Sequence, residues 1–130
     1  MQKKLDEAKL KLEEELNRSK SLFVSVTGLR LKRFWLVPIF YRYAIPSFSQ
    51  ATRAKGNLFT QVATVDGVQH TLTIWRHKRD IKKFSYSGIH KKAIAMFHKI
   101  ATGSTLTYEV TSIPSWNEVL EKWHNEAIEY

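Results

Sequence analysis

The chain has 130 residues, a mass of 15.2 kDa, no cysteine, a formal net charge of +9 and a sequence pI of about 9.9. Such a length supports one domain that buries a core without disulfides or a structural metal, and 43% hydrophobic with 25% charged residues is a globular composition. Without cysteine, thiol catalysis, disulfides, iron–sulfur clusters and thiolate zinc are excluded.

Residues 3–18 predict an amphipathic helix, because Leu5, Ala8, Leu12 and Leu16 recur at helical spacing among charges. Alone it is marginal, so it is expected to dock on the core or on a partner chain. LFVSVTGLRL (22–31) reads as a strand. An aromatic stretch, 34–45, follows. A helix is then expected from Pro46, a good first-turn residue, to Lys55, with Gly56 as its cap. Asp66-Gly67, between LFTQVATV (58–65) and VQHTLTIW (68–75), signals a two-residue type I′ hairpin. In that register one face carries Phe59, Gln61, Ala63, Val65, Val68, His70, Leu72 and Ile74. It is the more apolar face and is expected to meet the helices, which leaves a Thr-rich face with Trp75 bare. Residues 80–101 predict a helix broken at Ser87-Gly88; Ile81 and Phe84 precede the break, and Ile89, Ala93, Met96, Phe97 and Ile100 follow it. GSTLTYEVTS (103–112) reads as a fourth strand. Ser115 and Glu118 form a capping box for a last helix, 115–127, with Trp116, Leu120, Trp123 and Ala127 on one side.

The core order β-α-β-β-α-β is the split βαβ pattern of ferredoxin-like α+β domains with an antiparallel sheet. The expected organisation is an N-terminal amphipathic helix over 1–20 and a single domain over 21–130. A second copy would cover the bare face, so a homodimer is expected.

The charge is concentrated. Residues 16–100 hold sixteen Lys and Arg against Asp66 and Asp80 alone, a balance of +14, between two acidic ends. This basic middle reads as a solvated exterior; the other reading is an anion-binding surface. No Lys/Arg block marks a nucleic-acid tail, so nucleic acid is not the expected partner. The first residues are charged throughout, no apolar run reaches the ~20 residues of a spanning helix, and a cytoplasmic location is expected. Segment 34–45 has two readings. Trp35, Phe40, Tyr41 and Tyr43 beside Lys32, Arg33 and Arg42 resemble a membrane-interface element. The preferred reading is a helix buried in a domain or dimer core, so a membrane surface is not the favoured partner.

His70, His77, His90, His98 and His124 show no local chelate spacing, and no metal site is expected. If the helix restarts at Ser87, His90 stands at its third position, where the positive helix end keeps the ring neutral and free amides can hold an anion. His70, diagonal to Gln61 on the apolar hairpin face, is either a ligand-pocket residue or a core histidine satisfied by a neighbour. Arg53, Tyr86 and Trp75 are weaker candidates. Asp66 belongs to the turn and Asp80 reads as a helix cap.

The β-α-β-β-α-β order, HTLTIW (70–75), SGIHKKAIAMF (87–97) and SQATRAKGNLF (49–59) resemble the dimeric α+β-barrel superfamily over about residues 22–112. The narrower resemblance is to its spheroidene-monooxygenase-like and antibiotic-biosynthesis-monooxygenase-like branches. It implies a homodimer with packed sheets and a pocket between sheet and helices in each subunit. Members include oxygenases of polycyclic or carotenoid substrates, some cofactor-free, and haem-degrading enzymes. The haem-degrading relatives use an Asn, a Trp and a His where this chain has Thr27, Phe84 and Ile94, so their motif is not retained. Haem-degrading chemistry is therefore disfavoured; no cofactor is required, and its identity stays open, haem included.

The resulting expectation is a monooxygenase-like protein binding a small or medium apolar molecule, and oxidising it if catalytic. His70 and His90 would be acid/base or orienting groups, Gln61 a hydrogen-bond partner, and Tyr86, Arg53 and Trp75 ligand contacts. The alternatives are a non-catalytic binding or interaction module of the same fold, and peripheral membrane or nucleic-acid association through the basic middle.

Overall fold

The computed structural model describes residues 1–129, the side chain of Ile89 excepted. Tyr130, the last residue of the expected domain, and Ile89 as a member of the apolar stripe lie outside what is described. The elements are α1 (Gln2–Ser19), β1 (Leu22–Leu31), α2 (Val37–Arg53), β2 (Asn57–Val65), β3 (Val68–Trp75), α3 (Lys78–Ser85), α4 (Gly88–Ile100), β4 (Ala101–Val110), α5 (Trp116–Glu126) and a short β5 (Ile128–Glu129). The sheet is antiparallel in the order β2-β3-β1-β4-β5, the ferredoxin-like arrangement with one added edge strand.

The hairpin is as the Asp-Gly signal predicts. Asp66 and Gly67 both take positive φ, 51° and 78°, and Val65 pairs with Val68, Ala63 with His70 and Phe59 with Ile74. A bulge between Asn57 and Phe59 then shifts the register, and Leu58 joins the apolar core instead of the opposite face.

α2 departs from expectation. A 3-10 turn, Phe34–Leu36, leads straight into a helix that runs through Pro46 to Arg53. Pro38 occupies the first turn, where its missing N–H has no helical partner to lose. Phe40, Ser47 and Ala51, at spacings of seven and four, bury along one side and hold the helix together across Pro46. Gly56 is not a helix cap: it lies beyond the helix end at φ +85, where a Cβ would overlap the Asp80 carboxyl group. Asp80 in turn sits in the first turn of α3, whose N-cap is His77.

Two helical layers cover the two sheet faces. On one face Leu22, Val24, Val26, Leu72 and Ile74 pack with Leu5 and Leu12 of α1 and with Trp116 and Val119 of α5. Ser115 caps α5 by accepting from the Glu118 N–H. Gly28 on β1 admits the Trp123 indole of α5, which any Cβ there would strike. α1 docks in cis. Its Glu15 Oε2 accepts a hydrogen bond from Arg76 Nε at 3.1 Å and pairs with Nη2 at 3.1 Å, and Gln2 Oε1 accepts from the Trp116 N–H.

The other face, the Thr-rich one, lies beneath α2, α3 and α4. The apolar face does meet helices, but they are the terminal pair. The expectation of a bare Thr-rich face is therefore corrected. With both faces covered, two sheets cannot pack face to face unless a helical layer leaves. The interface that motivated a homodimer is occupied by the chain itself.

Candidate functional site

A cavity of about 680 Å³ lies between the Thr-rich face and α2–α4. Strand alternation builds its floor. Thr73, Ser25 and Thr107 face one another across β3, β1 and β4, and Thr71, Thr27 and Thr105 form a second row. These six hydroxyl residues line the cavity. The Thr107 hydroxyl donates to Ser25 Oγ and the Thr73 hydroxyl to the Ser25 carbonyl, each at 3.3 Å. The roof is apolar, with Phe40, Ala44 and Ala51 of α2, Phe84 of α3, and Ile94 and Phe97 of α4. An apolar roof over a hydroxyl floor suits a largely apolar molecule with a few polar atoms.

His90 is the histidine of the roof. The helix restarts at Gly88, so His90 is its third residue, as expected. Its Nδ1 lies 2.6 Å from Ser47 Oγ on α2. Its peptide N–H donates to Gln50 Oε1 at 2.9 Å, and the Gln50 amide donates to the Ser87 carbonyl at 3.0 Å. The α4 N-terminus is thus capped by a side chain from α2. Ser87 makes no side-chain cap, and the His90 amide is not free for an anion. The imidazole stacks on Phe84 at 4.2 Å, and Phe84 on Trp75 at 5.5 Å. Burial lowers the His90 pKa to about 4, so the ring is neutral at pH 7. The cause is desolvation, not the helix end. A neutral ring whose Nδ1 is engaged by a hydroxyl offers Nε2 as its remaining hydrogen-bonding atom.

The other expected residues separate. His70 is on the opposite face of the sheet. Its Nδ1 lies 3.1 Å from the Thr27 carbonyl, and its ring meets Trp123 edge-on at 4.7 Å. Burial lowers its pKa, although the Thr27 carbonyl opposes the shift. Gln61 is also on that face, accepting from the Trp116 indole N–H at 2.9 Å and donating to the Met1 carbonyl. Both are core groups with partners, and the His70 ring lies across the sheet from the roof that carries His90. His70 is among the residues bordering the first cavity, and it also borders a second concavity, about 900 Å³, between α5 and the ends of β1 and β4. Tyr86 stands at the mouth of the first cavity, 75% exposed. Arg53, ending α2, is exposed and outside the cavity lining. Trp75 is fully buried behind Phe84, with no hydrogen-bond partner for its indole N–H among the described residues.

Sequence reasoning missed Ser47 and Gln50. No local signal marks either one, because α2 also carries Arg42, Ser49 and Thr52. Thr27, Phe84 and Ile94 do border the cavity, as the resemblance places them, but none supplies an iron ligand. Among the described residues no group of three His, Asp or Glu is arranged to hold a metal.

The fold defines the class: a ferredoxin-like α+β protein of the kind seen in antibiotic biosynthesis monooxygenase-like proteins. One similar structure is that of a candidate antibiotic biosynthesis monooxygenase from Caulobacter crescentus, with TM-score 0.60 and 14% identity over 78% of this chain and 99% of that one. Another is SnoaB, a cofactor-independent oxygenase from Streptomyces nogalater, with TM-score 0.58 and 8% identity over 68% and 91%. A third is a conserved protein from Methanosarcina mazei, with TM-score 0.60 and 12% identity over 75% and 99%. At these identities the likeness is one of fold. No protein-family model matches the sequence, and no curated protein does.

Proposed function

We propose that the cavity binds a medium-sized, largely apolar molecule, an aromatic one with an acidic O–H or C–H group being the best fit. His90 acts as the base, its Nε2 taking the proton while Ser47 holds Nδ1. Dioxygen is the oxidant that the resulting electron-rich anion would reduce, in line with a cofactor-independent oxygenase among the similar structures. The observation that carries this reading is a neutral, partly buried His90 hydrogen-bonded to Ser47 in the wall of an apolar cavity.

The test is titration calorimetry and oxygen-electrode turnover with a panel of hydroxylated polycyclic aromatics. The expected result is binding by the native chain, and a His90→Gln variant that binds within about threefold but turns over at least ~100-fold more slowly. Ser47→Ala should fall between them. Failure of every compound to bind, or turnover unaffected by His90→Gln, would overturn it. Binding with no turnover in the native chain would point to the non-catalytic module instead.

A further inference from the structure

The layer above the cavity is unusual on its outer side. Phe34, Val37, Tyr41 and Ile45 form a stripe along the 3-10 turn and α2, at i, i+3 and i+4 spacings. Phe34 is 82% exposed, Ile45 65% and Trp35, beside them, 61%. The expectation that this aromatic segment is buried in the core of the domain is thus corrected: Phe40 is buried and most of its neighbours face water in the single chain. The stripe continues to the cavity mouth, where Tyr41, Ile45, Tyr86 and the exposed Val62 all stand.

Charge surrounds it with one sign. Lys32, Arg33 and Arg42 flank the stripe, Lys78 and Lys82 rim the cavity, and Arg79, Lys83, Lys91 and Lys92 are exposed on α3 and α4. α2, α3 and α4 hold one carboxylate between them, Asp80, and it is buried. The acidic residues lie mostly at the chain ends, in α1, β4 and α5.

We infer that this face docks the protein on an anionic lipid bilayer. Aromatic and aliphatic side chains seat at the headgroup–acyl boundary, and the surrounding Lys and Arg meet the lipid phosphates. The charge rules on the other occupants. A symmetric pair of chains would bring this cationic face against itself. A nucleic acid would use the cations and the rings but would gain nothing from Val37 and Ile45. No helix of the described residues is long and apolar enough to cross a membrane, so the contact is peripheral. That the bilayer also delivers the cavity's ligand rests on the function proposed above; the docking itself does not.

The experiment is flotation of the full chain with vesicles of phosphatidylcholine alone and of phosphatidylcholine mixed with phosphatidylglycerol. Binding is expected to the anionic vesicles only, to weaken with added salt, and to fall at least ~10-fold in the Phe34→Ser/Trp35→Ser double variant. Both side chains are exposed, so the variant should unfold at the native temperature. Neither lines the cavity, so it should bind the soluble aromatic probes as the native chain does. Brominated lipids provide a second readout. Trp75 and Trp116 are fully buried and Trp123, partly buried, packs on the opposite face of the sheet, so quenching lost in Trp35→Phe locates the contact. Three results would overturn the inference: no vesicle binding while the probes still bind, vesicle binding indifferent to the double variant, or a dimer or nucleic-acid complex that the double variant abolishes.

Discussion

His90 owes its state to three neighbours contributed by two other helices. Phe84 desolvates it, Ser47 engages Nδ1 and Gln50 fixes its peptide. A histidine whose folded pKa lies near 4 stays neutral while the unfolded chain's histidine titrates near 6.5. Below about pH 6.5 the unfolded state therefore binds a proton that the folded state declines. Stability should be complete above that pH and should fall as pH drops toward 4, by on the order of 3 kcal/mol over the window. His70, lowered by burial, adds in the same direction. Urea unfolding at a series of pH values checks this: His90→Asn should flatten most of the slope, and an unchanged slope would contradict the assignment. His90 was legible in the sequence because Ser87-Gly88 marks a helix restart three residues before it. Ser47 was not, because its partner is 43 residues away and nothing local in an aromatic run distinguishes it.

At the scale of the element, the α3–α4 break depends on Gln50. It bridges the Ser87 carbonyl and the His90 N–H, doing for α4 what Ser115 does for α5 from within its own chain segment. Gln50→Ala should destabilise the protein by about 1 kcal/mol, the usual worth of an N-cap. Amide exchange at residues 90–92 should quicken while exchange in α5 stays slow; equal protection in both would remove the capping role. The hairpin was readable because Asp-Gly chemistry is local. The course of α2 was not, since Pro46 carries a local signal to start a helix and only tertiary burial of Phe40, Ser47 and Ala51 overrides it. The same division explains Gln61 and His70. Alternation correctly put them on the apolar face, but alternation says which residues share a face, not which helices come to cover it.

For the whole molecule, the terminal helices cover the apolar face of the sheet. Leu5 and Leu12 of α1 and Trp116 and Val119 of α5 are fully buried there, each side chain contributing about 1.5–3 kcal/mol by its burial. Deleting residues 1–20 should uncover part of that face, including Leu72 and Ile74, and the shortened chain should self-associate. Sedimentation equilibrium decides it: a shortened chain that remains folded and of the same oligomeric state as the full chain would show that α1 is dispensable cover. The Glu15–Arg76 contact, in which the guanidinium holds the carboxyl below its ordinary pKa, fastens the far end of that helix to the sheet.

Gln2 and Trp116 meet across 114 residues of chain. That single contact sets an order of events during synthesis. The ribosome releases α1 first and α5 last, so α1 waits with its apolar side without half of its final seat, and an isolated helix of that length is marginal. The strands and α2–α4 can assemble meanwhile, while closure of the core waits for contacts of the greatest sequence separation, which are slow to form. Refolding should accordingly finish with a late step that seats both terminal helices together, and a nascent chain stalled before α5 would be the species that chaperones hold.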